Sequence, residues 1–72
     1  MKGERIKVKN IEELQEILKR EKKDNIVIKV IFLNLIGGRI GFGEACRFCG
    51  IAESTGYLWI REWNQGGYEG IS

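Results

Sequence analysis

The sequence contains no proline and no histidine, and only two cysteines. Without proline, no ring removes a backbone donor or forces a kink inside a helix. Without histidine, the commonest general base and metal ligand is missing. Two cysteines cannot alone supply the four ligands that structural zinc takes. They are also too few for a disulfide scaffold, and a cytosolic setting would keep them reduced. There is no paired-carboxylate motif either, so no catalytic base presents itself. We therefore expect no enzyme, no metal, no cofactor and no small-molecule substrate.

A long apolar run is also lacking. The longest, Val30 to Gly38, is broken by Asn34 and is too short to span a bilayer. Met1 to Lys9 is charged throughout, unlike a secretory leader, so the expected location is cytoplasmic, with no membrane partner. Strong charge of one sign is absent as well. The net charge of +2 divides into +3 for residues 1–30 (nine Lys/Arg, six Asp/Glu) and −1 for residues 31–72 (three Arg, four Glu). A broad basic face of the kind many nucleic-acid binders carry is not evident in these numbers.

What is present suits one compact domain: 43% hydrophobic and 31% charged residues in 72 positions. Arg5 to Lys9 alternates basic and apolar residues, so residues 1–10 read as an extended arm or short strand, with Ile6 and Val8 suited to pairing, with a second copy of the chain as one option. Asn10 suits an N-cap, Glu12 and Glu13 load the following turn with negative charge, and Lys19, Arg20, Lys22 and Lys23 gather at the end. With Ile11, Leu14, Ile17 and Leu18 at helical spacing, a helix is expected over about 11–23. Asp24 is a candidate cap for the next segment, 25–36. There the β-branched run Ile26 to Phe32 favours a strand by propensity. Ile28, Ile31, Phe32, Leu35 and Ile36 favour a helix by period, and the two readings balance. Gly37-Gly38 ends the segment either way.

Phe42, Ala45, Cys46 and Cys49 line one face of a short helix over about 42–49. Gly50 stops it, and a helix resumes over about 53–64 with Trp59, Ile60 and Trp63. Gly66-Gly67 is expected to close that helix, with residues 68–72 trailing off. Two short helices joined by a tight glycine-containing turn are the geometry of a helix-turn-helix. Its requirements are met in register. Cys46 is small where the helices cross, Gly50 supplies a positive φ, and Ile51 plugs the angle between them. Trp59 and Ile60 anchor the second helix. The C-x-x-C pair thus reads as two small buried hydrophobes, with an intermolecular zinc site in a dimer as the rival.

The stretch "GEACRFCGIAESTGYLWIREWNQGGYEGI" resembles the N-terminal DNA-binding region of insertion-sequence transposases, in the mariner-related group and of archaeal type. The matching residues run in order: Glu44, Ala45, Gly50, Ile51, Ser54, Thr55, Tyr57, Trp59, Trp63, Gly66, Gly67, Glu69 and Gly70. The resemblance covers roughly residues 24–71. It implies that 25–36 is helical, that 38–43 is a loop, and that the partner is double-stranded DNA. The chain departs from the pattern at Ala52, where the family has a capping Ser. It also departs at Gly56, where a β-branched residue or Leu is usual, at Leu58, where Arg or Lys often stands, and at "GFG" over 41–43. Gly56 lowers helix propensity by about 1 kcal/mol. The family's acidic catalytic triad has no counterpart in these residues.

The expected fold is therefore all-α and homeodomain-like, with three core helices of a helix-turn-helix and an added N-terminal helix, residues 11–72 forming one domain. The expected DNA-binding residues are Ser54, Thr55, Tyr57, Leu58 and Arg61, with Glu53 at the helix start facing away from phosphates or tuning register. Ser54, Thr55 and Tyr57 would serve phosphates or base edges, and Arg61 a phosphate or a guanine. A homodimer is left open. The rival reading is a protein-interaction or dimerisation module that keeps the fold and binds DNA weakly or not at all.

Overall fold

The computed structural model of the chain describes residues 7–72, and among these residues there are four helices and no strand. They are α1 (Ile11–Arg20), α2 (Asp24–Gly37), α3 (Phe42–Cys49) and α4 (Glu53–Ile71). The sequence places the first helix three residues too far, to Lys23. Glu21 turns extended (φ −73°, ψ 136°), and Glu21 to Lys23 carry the chain round into α2. Asn10 does not cap α1 with its side chain. It sits in the left-handed region (φ 53°), and its carbonyl accepts the amides of Glu13 and Leu14. Asp24 is likewise not a cap but the first residue of α2. Lys23 holds the cap position, and its carbonyl accepts from Ile26 and Val27. The Asp24 carboxylate still lies where the helix dipole favours it.

The balance between strand and helix over 25–36 resolves as helix, and the buried set explains the ambiguity. Ile26, Val30, Phe32, Leu33 and Ile36 are buried, whereas Ile28, Ile31 and Leu35 are only half-buried. The expected stripe is thus only partly the buried one. α2 packs against α1, α3 and α4 in turn, so it is apolar on nearly every side and shows no amphipathic period. Phe32 lies at the centre, fully buried, with Phe42 and Trp59 edge-on to it at centroid distances of 6.1 and 5.8 Å. Each such pair adds about 0.5–1.5 kcal/mol beyond area burial.

α2 ends at Gly37 with Gly38 in the cap position, where the sequence places its end. The left-handed residue is Arg39 (φ 72°), and the Ile40 amide reaches back to the Leu35 carbonyl, closing the helix in a Schellman arrangement. Gly37 also serves α1: a Cβ there would lie 2.7 Å from Cδ1 of Ile11. The connecting loop is short, and Phe42 and Gly43, expected within it by resemblance, already belong to α3.

α4 contains the largest departure. The helix from Glu53 breaks at Gly67 (φ 60°, ψ −142°), a conformation open essentially to glycine alone, so Gly66-Gly67 closes it as expected, but a second helical stretch then runs to Ile71 where a tail is expected. The last turn folds back so closely that a Cβ on Gly70 would overlap the Glu62 carbonyl. This return seats Ile71, fully buried, in the same core cluster as Trp63 and the buried residues of α2. Lys29 of α2 fastens the end. Its Nζ donates to the Ile71 carbonyl at 3.0 Å and stands 5.9 Å from the Trp59 ring centroid. Tyr68 fastens the other side by donating its hydroxyl to Glu21 Oε1 at 2.8 Å. That bond holds the Glu21 carboxyl below its usual range and pushes the Tyr68 phenol up.

Candidate nucleic-acid interface

α3, the turn and α4 form the helix-turn-helix. Gly50 adopts φ 70° and ψ 35°, and the Ile51 amide bonds back to the Cys46 carbonyl at 3.0 Å, so the α3 terminus is closed as the turn requires. Ile51 then packs on the core. Cys46 is buried where the helices cross, and the residue facing it is Gly56. A Cβ at Gly56 would stand 2.9 Å from Phe32 Cζ, 3.0 Å from Cys46 Sγ and 3.1 Å from Phe42 Cε1. Gly56 is therefore a close-approach residue, and what reads as a weak point in α4 is the condition for its packing. The two small side chains meet because three elements converge on Phe32.

Burial divides α4 into two faces. Gly56, Ile60 and Trp63 are buried and Trp59 is half-buried, while Ser54, Tyr57, Leu58, Arg61 and Gln65 are exposed at spacings of three and four. Four of the six residues expected to meet DNA thus lie on one outward stripe. Thr55 is half-buried and off that stripe, and Glu53 is exposed in the first turn. Gln65, absent from the sequence expectation, extends the stripe by another turn. Its signal is the i, i+4 spacing from Arg61, which an expected helix end at Asn64 leaves out.

Tyr57 is held by its neighbour rather than free. Its ring stacks on Phe42 with centroids 4.2 Å apart and planes 24° apart, although its own surface is 54% exposed. A chain of rings thus runs from Trp59 through Phe32 and Phe42 to Tyr57, connecting the core to the outward stripe. The start of α4 has Ala52 in the cap position and no side-chain cap. The amides of its first turn are left to solvent or to an anion. Among the described residues the one ion pair is Lys19 with Glu16 at 3.9 Å, exposed on both sides, so Arg61 is not tied to a carboxylate.

The cysteines belong to packing. Cys46 is buried and Cys49 half-buried. Burial, and next the Glu53 carboxylate, push the Cys46 thiol up, and burial followed by Cys46 pushes Cys49 up, so both are held as neutral thiols. Among the described residues no three His, Cys, Asp or Glu side chains gather as a metal site. No described helix is long and apolar enough to cross a membrane.

The basic cluster at the end of α1 is exposed, as solvated helix ends are, and of the N-terminal arm only residues 7–10 can be placed. The part of that expectation covering residues 1–6 lies outside the described residues. Lys7 to Lys9 lie against α4, with Val8 packed on the core.

A family model of a homeodomain-like domain matches residues 30–72, three-fifths of the chain. The matched span covers most of α2 with α3 and α4, the three core helices, and leaves α1 outside. No curated protein and no solved structure matches the chain. The turn register, the convergence on Phe32 and this match agree that the chain belongs to the homeodomain-like domains, a helix-turn-helix fold that points to DNA binding.

Proposed function

We propose that this chain binds double-stranded DNA with sequence selectivity, by laying the outward stripe of α4 in the major groove in the manner of a transposase DNA-binding region. The observation that carries the reading is the stripe itself. Polar and aromatic side chains at Ser54, Tyr57, Arg61 and Gln65 stand on a helix whose opposite face is locked in the core. Arg61 is the one cation on the stripe and serves a phosphate or a guanine edge. Ser54 and the uncapped first turn of α4 suit phosphate oxygens. Thr55 lies beside them, and Glu53 at the helix start disfavours close phosphates and so influences register. Tyr57, fixed by Phe42, offers a pre-oriented ring and hydroxyl, and Leu58 offers an apolar contact of the kind that reads a thymine methyl. The chain acts by recognition, without catalysis, metal, cofactor or small-molecule substrate. Selection of bound duplexes from a random pool tests the proposal. One enriched sequence family is expected, and a recovered pool indistinguishable from the input would contradict selectivity.

A second reading has its own support. Phe48 on α3 is 76% exposed, and Ile40 and Leu58 are 40% exposed. Such apolar side chains suit a protein-interaction or dimerisation surface. Sedimentation separates the two readings, because a tight dimer that binds no duplex at low salt supports the second.

A further inference from the structure

The alternating segment before α1 has found a partner, and the partner is α4. The Asn64 carboxamide uses both of its ends on this segment. Its Nδ2 donates to the Lys7 carbonyl at 2.8 Å, and its Oδ1 accepts the Lys9 amide at 3.0 Å. One side chain thereby takes both the carbonyl of Lys7 and the amide two residues on, the pair of groups that a strand offers its neighbour. Trp63 adds a third bond, its indole Nε1 donating to the Lys9 carbonyl at 2.7 Å. Val8 packs on the core, while Lys7 and Lys9 on either side of it are exposed.

The register on α4 gives this latch its meaning. Asn64 follows Arg61 by three residues and Tyr57 by seven, so all three lie along one flank of the helix. The backbone of Lys7 to Lys9 is therefore fastened where the outward stripe continues. Neither lysine is in an ion pair with another described residue. Among the described residues the nearest acidic groups in sequence, Glu12 and Glu13, belong to the first turn of α1 and are exposed there. α1 and this segment both lie outside the span matched to the homeodomain-like family. The chain's own addition thus returns two cations to the helix that the family fold presents.

We propose that Lys7 and Lys9 form a second phosphate-binding element of the DNA interface, and that Asn64 is the positioning residue that holds them there. The proposal rests on the reading of α4 as the DNA-facing helix. It accounts for the modest charge of residues 31–72, because the cations that neutralise the backbone come from the other end of the chain. Contacts of this type add affinity without sequence information.

The test is salt-dependent duplex binding by wild type, the double variant Lys7→Gln/Lys9→Gln, Asn64→Ala and Arg61→Ala, with hydrogen exchange at the Lys9 amide in parallel. Lys7 and Lys9 are exposed, so the double variant leaves the fold intact. It is expected to weaken binding equally on selected and random duplexes and to lower the salt slope by about 1 for each lysine. Asn64→Ala is expected to deprotect the Lys9 amide and reproduce most of that loss, which a purely structural role for Asn64 would not move in slope. A wild-type slope in the double variant, with binding that still depends on Arg61, overturns this proposal and leaves the α4 reading standing. A Lys9 amide equally protected in Asn64→Ala overturns the latch. Absence of salt-dependent binding by wild type overturns both readings.

Discussion

Gly56 shows how one residue's role reverses with context. By propensity it weakens α4, yet its missing side chain lets α4 close on Phe32, Cys46 and Phe42 at distances of 2.9–3.1 Å from where a Cβ would stand. Gly56→Val restores a side chain and overpacks that junction. We expect a loss of about 1–3 kcal/mol in denaturant unfolding, since buried surroundings must shift to admit it. A neutral or stabilised variant would mean the junction is loose. Cys46 is the counterpart across the crossing. The small-residue requirement of the turn was readable at Cys46, Gly50 and Ile51 because it depends on local chemistry in fixed register. The need for glycine at 56 was not readable, because the rings that demand it come from α2 and from the start of α3. Of the residues expected to face outward, Ser54, Tyr57 and Arg61 are exposed and Thr55 is half-buried, Leu58 is marked by the resemblance rather than by spacing, and Gln65 lies just past the expected helix end at Asn64.

At the scale of elements, α2 and the end of α4 were the hard cases, for opposite reasons. α2 carries too little contrast: covered by three helices, it has no solvent face to set a period, and β-branched residues pull its propensity toward strand. The end of α4 carries a strong local stop in Gly66-Gly67, and the chain does break there, but tertiary packing then draws Ile71 back into the core where the sequence suggests a tail. Gly67 makes the reversal and Gly70 admits the close return, so the closing "GGYEGI" is a folded-back plug rather than a tail. Ile71→Ala is expected to remove about 2–5 kcal/mol of stability, the range for emptying a buried aliphatic site. Chemical denaturation measures it, and a surface-like change of a few tenths would contradict the plug.

Over the whole molecule, three contacts join its ends to the centre: Asn64 and Trp63 to residues 7–9, Lys29 to Ile71, and Tyr68 to Glu21. The last has a definite pH signature. Glu21 titrates lower in the folded chain, so its contribution is present above the ordinary carboxylate range and is lost as pH falls through the lowered value. Tyr68 titrates higher, so its contribution is present below the ordinary phenol range and is lost as pH rises through the raised value. Tyr68→Phe is expected to lower the melting temperature slightly near neutrality and to leave that difference smaller at acid pH. A difference that does not change with pH would place the effect of Tyr68 elsewhere than this bond. The alternation of Lys7, Val8 and Lys9 is visible in the sequence, but what the segment pairs with is not, because Asn64 lies more than fifty residues away.

The proposed function requires α4 to be a DNA-reading helix. The most direct measurement is the salt dependence of duplex binding for wild type against Arg61→Ala, on random and selected duplexes. Binding by wild type that weakens steeply with salt is expected, with Arg61→Ala weaker and its slope reduced by about 1 if Arg61 meets a phosphate. If it meets a guanine, the loss falls chiefly on the selected duplex, by about 1–3 kcal/mol. Equal and salt-insensitive behaviour of the two proteins on both duplexes would contradict the central claim.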